Sequence, residues 1–211
     1  MSLLTQALVK LSEWIEQSDS WHAKAIRETL PPYGLKPGLE SELIELYTEE
    51  MNLTFSKEIY DLYQWHNGTF ILGEWYNPVT FISLDVALIW VKRQISPKLP
   101  IFLGDDLFYV VDSATTPDKE HSPIYCYDGW NSDKKEFCSL IAETYAPSLT
   151  SLVQAMVECA KVYDGISARY MALDDDPKID YTERITYYKS LLQPIYAQHG
   201  IRSSLGCGLW D

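Results

Sequence analysis

With 211 residues, a net charge of −13 and a hydrophobic share of 46%, the chain has the make-up of one globular domain with an extension, or of two small domains. That acidity argues against nucleic acid as a partner, because phosphate recognition needs a basic footprint; it suits a basic protein partner, or simply a well-solvated surface. No apolar run approaches the roughly 18 residues of a membrane span, and the N-terminus does not read as a cleavable leader. A cytoplasmic protein without a membrane partner is the expectation.

The charge is uneven. Residues 1–160 carry 11 Lys and Arg against 23 Asp and Glu, whereas residues 161–211 carry 6 against 7. Whatever the acidity serves belongs to the first part of the chain. The four cysteines (Cys126, Cys138, Cys159, Cys207) show no C-x-x-C spacing, and with His22, His66, His121 and His199 scattered, no zinc template fits. Reduced thiols, no metal and no other cofactor are expected.

In chain order, Leu4, Leu8, Leu11 and Ile15 recur at helical spacing, and Ser2 is placed to cap them. A short second helix is expected over residues 21–30. Pro31-Pro32 ends it, and Gly34 and Pro37-Gly38 make a loop. Leu39, Leu43, Leu46 and Tyr47 then form the apolar stripe of a helix whose other face carries Glu42, Glu45 and Glu49, with Asn52 as its stop. Ser56 caps the next helix, which carries Ile59, Leu62 and Tyr63 and is broken by Asn67-Gly68.

Beyond Gly68 the texture becomes β-prone. Residues 69–72 and 79–82 flank Asn77-Pro78; Ser83 caps a helix through Leu84, Leu88, Val91 and Ile95. Residues 101–103 and 107–112 read as a hairpin around Asp105-Asp106, and residues 124–128 and 136–141 as a further pair. From Ser148 the helical period returns, with Gly165 either ending it or lying within it. Asp180-x-x-Glu183 opens a last helix that contains Pro194. The pattern defines an α+β class: a central antiparallel sheet of about five or six strands with helices packed around it, plus a helical C-terminal extension. The expected division is residues 1–165 for the α+β domain and 166–211 for the extension, packed on the same domain.

The order Pro37-Gly38, Glu42-Leu43-Ile44-Glu45, Leu53-Thr54-Phe55-Ser56 and Trp65-His66-Asn67-Gly68 resembles the SUKH superfamily, which includes the Smi/Knr-type cell-wall regulators and many bacterial relatives. Leu99-Pro100-Ile101, the strands at 106–112 and 124–128, and the helix from Ser148 are similar to its later elements, so the resemblance spans roughly residues 21–160. The family's proline before the second helix is absent here, and the region after about Val162 has no counterpart. The resemblance implies an α+β fold with a central antiparallel sheet. It also implies a non-enzymatic binding role: a toxin-neutralising immunity protein facing a basic toxin domain, with a nuclease as one such target, or alternatively a regulatory interaction hub. It carries no catalytic residues. Pro37, Gly38, Trp65, Asn67 and Gly68 transfer as markers of the fold.

Residue chemistry points the same way. Asp105-Asp106 has no third ligand at metal spacing, and the residues around Asp174-Asp175-Asp176 lack the glycine and terminal glutamate of a calcium loop. His66 has no assignable nucleophile, and no Gly-x-Ser-x-Gly elbow occurs. An enzyme would need a clustered polar pocket, for which no motif speaks. Two surfaces remain as candidates for a partner. One is the stripe Glu42, Glu45 and Glu49, which is otherwise a solvated helix face. The other is the strand-and-turn set Asp105, Asp106, Tyr109, Asp128, Trp130 and Asp133, whose rings read equally as interface anchors or as sheet core.

Overall fold

The computed structural model describes residues 1–20, 23, 24, 27, 36–68, 72–74, 77–94, 98–104, 107–112, 120–174 and 181–202. The described helices are α1 (Leu3–Gln17), α2 (Ser41–Met51), α3 (Lys57–Trp65), α4 (Leu84–Arg93), α5 (Leu149–Asp174) and α6 (Tyr181–Gln198). The strands are β1 (Leu72–Glu74), β2 (Asn77–Phe81), β3 (Lys98–Gly104), β4 (Leu107–Asp112), β5 (Ile124–Asn131) and β6 (Glu136–Ala146). They form one antiparallel sheet in the order β1-β2-β3-β4-β5-β6, a meander with α4 between β2 and β3. The fold is therefore α+β, with a helical segment at the C-terminus. Most of the short helix expected at 21–30 lies outside the described residues, as do Asp105, Asp106, Asp175, Asp176, Asp180 and Cys207.

Alternation along β4 divides the interior. Leu107, Tyr109 and Val111 face the main core, which they share with Leu4, Leu8 and Leu11 of α1, Ile59, Leu62 and Tyr63 of α3, and Leu149 and Val153 of α5. Phe108 and Val110 face the other way and join Tyr127 and Phe137 in a second aromatic cluster, against which Trp90, Tyr125 and Trp130 pack. Cys159 and Leu192 bring α5 and α6 together beside Trp14 of α1, so the C-terminal helix rests on helices. α5 runs unbroken through Gly165, and the division expected after residue 165 falls inside it.

Local caps follow the sequence. Ser2 accepts from Thr5 N–H at 3.0 Å and Ser56 from Ile59 N–H at 3.4 Å. Asn52 adopts the left-handed conformation, φ 50°, that ends α2. At α4 the expectation fails: the Ser83 side chain makes no cap bond. Leu84 N–H instead donates to Asn67 Oδ1 at 2.8 Å, a cap delivered from 17 residues away.

That cap belongs to a lock made by the two glycine motifs. Lys36 N–H donates to Gly68 O (3.1 Å), Asn67 N–H to Lys36 O (3.3 Å) and Leu39 N–H to Tyr63 O (2.9 Å), and Pro37 bridges to His66. The loop before α2 is thereby fastened along the end of α3. Gly68 lies so close to Ser83 that a Cβ would sit 2.7 Å from its nitrogen, at a φ of +88° that side chains disfavour. Pro37, Gly38, Asn67 and Gly68, separated by about 30 residues in sequence, thus form a single structural joint that also starts α4.

Candidate partner-binding surface

α2 has an inner and an outer face. Ile44 and Thr48 are buried, Leu43 and Tyr47 are half-buried, and Glu42, Glu45 and Glu49 are exposed. The apolar stripe is rotated from the expected one: Leu46, placed in the core by periodicity, is 58% exposed. The helix turns Ile44 and Thr48 inward, with Leu43 and Tyr47 beside them, and Leu46, about 200° around the axis from Ile44, is left on the outer side. Among the described residues, no cation pairs with Glu42, Glu45 or Glu49. Glu50, at the end of the helix, meets Lys92 of α4 at 3.3 Å.

The strand-and-turn candidates separate. Tyr109 is 2% exposed and packs edge-on against Tyr145 at 4.8 Å between ring centroids. It is core, and its proposed place at a partner surface is corrected, because position 109 shares the main-core face of β4 with 107 and 111. Asp128 on β5 and Asp133 in the β5–β6 turn are exposed. The turn is shaped by Asn131, whose Oδ1 accepts from the N–H groups of Asp133 (3.1 Å) and Lys134 (3.0 Å). Trp130 is half-buried, edge-on to Trp90 at 5.2 Å and to Phe137 at 5.3 Å.

α4 joins the two candidate areas. Its Lys92 reaches α2 and its Trp90 reaches β5. Leucine and glutamate spacing made α2 visible in the sequence. Nothing in it indicated that α4 would stand between the stripe and the hairpin.

Several polar side chains are tied to other elements by hydrogen bonds. Glu58, only 4% exposed, accepts from Ser122 N–H (2.6 Å), Leu149 N–H (3.2 Å), Thr150 N–H (3.1 Å) and the Thr150 hydroxyl (2.5 Å). His121 Nδ1 lies 3.2 Å from the same carboxyl group, and His199 Nε2 lies 3.0 Å from Glu158 Oε1. Periodicity could not reveal Glu58, because a glutamate in the first helical turn is ordinarily solvated. Among the described residues no group of three or more His, Cys, Asp or Glu is arranged to hold a metal ion, and no helix is long and apolar enough to cross a membrane. Cys126 and Cys159 are buried, and Cys138 is exposed.

His66 packs against the Trp65 ring at 4.4 Å, and its Nδ1 is 2.7 Å from Lys36 O. A carbonyl partner requires Nδ1 to carry the proton and donate. Burial pushes the ring below its ordinary pKa, and the bond to Lys36 only partly opposes this. The unfolded chain therefore binds a proton first as pH falls through about 6.5; the contribution of His66, complete above that value, declines below it. Asp61 acts in the same direction at lower pH. Burial raises its carboxyl, but the bonds from Lys57 and Ser2, the Lys57 charge and the Thr5 hydroxyl outweigh burial and hold it low. Its contribution is complete above the unfolded value of about 3.9 and is lost as pH falls through the folded value. Urea midpoints are expected to drop in two stages on acidification, below about pH 6.5 and again below about pH 4, and His66→Gln is expected to flatten only the first stage.

The chain matches no protein-family model, and no curated protein matches it.

Proposed function

We propose that this chain is a non-enzymatic, SUKH-like protein-binding domain: an immunity protein that neutralises a basic toxin domain by covering its working surface. The observation that carries the reading is α2, which exposes Glu42, Glu45 and Glu49 on one face with no cation of the described residues to neutralise them. Three exposed carboxylates on one helix face attract a basic partner over long range and keep their charge available for contact. The antiparallel meander with helices around it, and the joint between Pro37-Gly38 and Asn67-Gly68, agree with the family resemblance and support it.

Where the target is a nuclease, the acids take the place of nucleic-acid phosphates. The test is titration of the purified chain with the toxin domain encoded beside its gene, at several salt concentrations. Binding at one to one is expected, weakening with salt. Replacing Glu42, Glu45 and Glu49 by lysine is expected to slow association by about tenfold or more. Binding indifferent to both salt and charge reversal, or co-expression that fails to protect cells from that toxin, would sink the proposal. An isolated gene whose product binds several endogenous proteins through the same face would point to a regulatory hub instead.

A further inference from the structure

We propose that the outward face of α4, together with Leu46 of α2, is a docking surface for a basic, amphipathic segment of a partner protein. This rests on the protein-binding reading above and adds the place and the chemistry of contact. Val86 is 41% exposed, Ile89 48% and Leu46 58%, large apolar side chains that the fold leaves in water. They lie around one ion pair. Glu50 meets Lys92, Leu46 stands one turn before Glu50 on the same face of α2, and Ile89 and Val86 precede Lys92 at three-residue steps along α4. On its other flank α4 is fixed by Trp90 against Trp130, the base of the hairpin that displays Asp133.

The surface therefore has an apolar centre and an acidic rim, the anatomy of a protein interface. The two cations at the end of α4 do not cancel the rim. Lys92 is paired with Glu50, which leaves the exposed Arg93, 5.8 Å from the centre of the Trp90 ring and still charged, as one cation against Glu42, Glu45 and Glu49. The occupant follows from charge. A second copy related by a twofold axis would bring Glu42, Glu45 and Glu49 against their own kind. Nucleic acid and anionic lipid are repelled as well. A protein segment with apolar residues on one side and Lys or Arg beside them satisfies both parts of the surface.

The test uses the full chain, isotopically labelled for NMR, and synthetic peptides. An amphipathic helix of leucines and lysines is expected to bind and to shift the amides of Leu46, Val86 and Ile89. The same helix with glutamate for lysine, and a scrambled leucine–lysine peptide with no apolar face, are expected to bind about tenfold more weakly or worse, a difference of about 1.4 kcal/mol. A Leu46→Ser, Ile89→Ser variant that keeps the folded spectrum is expected to lose binding by a similar factor. Equal binding of the scrambled peptide, shifts centred on another surface, indifference to the double variant, or no binding at all would overturn the inference. A chain that binds the peptide at this face yet gives no protection against a toxin would remove the immunity reading and leave the surface standing. Protection retained by the double variant would remove this surface and leave the immunity reading intact.

Discussion

Replacing Glu58 with alanine is expected to destabilise the protein by about 3–5 kcal/mol, read as a lower urea midpoint with an unchanged slope. The carboxyl group sits where three segments meet: the first turn of α3, the approach to β5 at Ser122, and the first turn of α5 at Leu149 and Thr150. Its oxygens accept from three backbone N–H groups and one hydroxyl, and two of those N–H groups belong to the orphan donors that every helix start must satisfy. Removing the acceptor strands these donors in a buried site, at about 1 kcal/mol or more each. Water entering beside the exposed His121 ring offsets part of the loss, which is why the range does not run higher. Glu58→Gln keeps the shape and one acceptor oxygen but turns an amide N–H₂ toward other donors; about half the cost is expected. Native-state hydrogen exchange offers a second reading, in which the amides of Leu149 and Thr150 lose protection before those of β4. A cost below about 1 kcal/mol would show that the three segments hold without their shared acceptor.

Glu58 also marks where sequence reading stops. Caps whose acceptor lies three residues from the donor, Ser2 for Thr5 and Ser56 for Ile59, are legible because the chain itself supplies both partners. The cap of α4 is not legible, since Asn67 comes from the end of another helix and displaces the local serine. Strand faces fail for a different reason. β4 is buried on both sides, so Phe108 and Tyr109 are both large, both apolar and both inside, and alternation offers no polar contrast to separate core from surface. The charged stripe of α2 was readable because burying Glu42, Glu45 and Glu49 unpaired is prohibitive. The exposure of Leu46 was not, because Leu43, Ile44, Leu46 and Tyr47 are apolar around most of the helix, and the pattern does not say which side the core will take. The proposed partner surface is thus half visible in the sequence: its acids are, and its apolar centre on α4 is not.

Gly38→Ala is expected to cost about 3 kcal/mol or more, at the upper end of what a single methyl can do. A Cβ at this position would lie 1.7 Å from Gln64 O, 2.5 Å from its carbonyl carbon and 3.0 Å from Trp65 O. These are backbone atoms at the end of α3, so no rotamer change relieves the clash. Moving them means breaking the bond from Leu39 N–H to Tyr63 O, the Pro37–His66 bridge, or the contact of His66 with Lys36 O. Gly129→Ala supplies the control. Gly129 has a φ of +72°, so alanine there carries the backbone strain of the left-handed region, about 1–2 kcal/mol. Its nearest obstruction is the Cys138 sulfur at 3.7 Å, an ordinary contact. The two variants add the same methyl group, and only the first drives it into a neighbouring backbone. Urea midpoints should therefore rank wild type, Gly129→Ala, Gly38→Ala in falling order. Equal midpoints for the two variants would show that the Pro-Gly loop is free to lift from α3. Under the proposed function the ranking bears on binding as well as folding. α2 begins three residues after Gly38, so the loop's seat on α3 sets the direction in which Glu42, Glu45, Leu46 and Glu49 are presented. A Gly38→Ala protein that still folds is expected to bind a basic partner more weakly than the Gly129→Ala protein does, although neither residue bears charge.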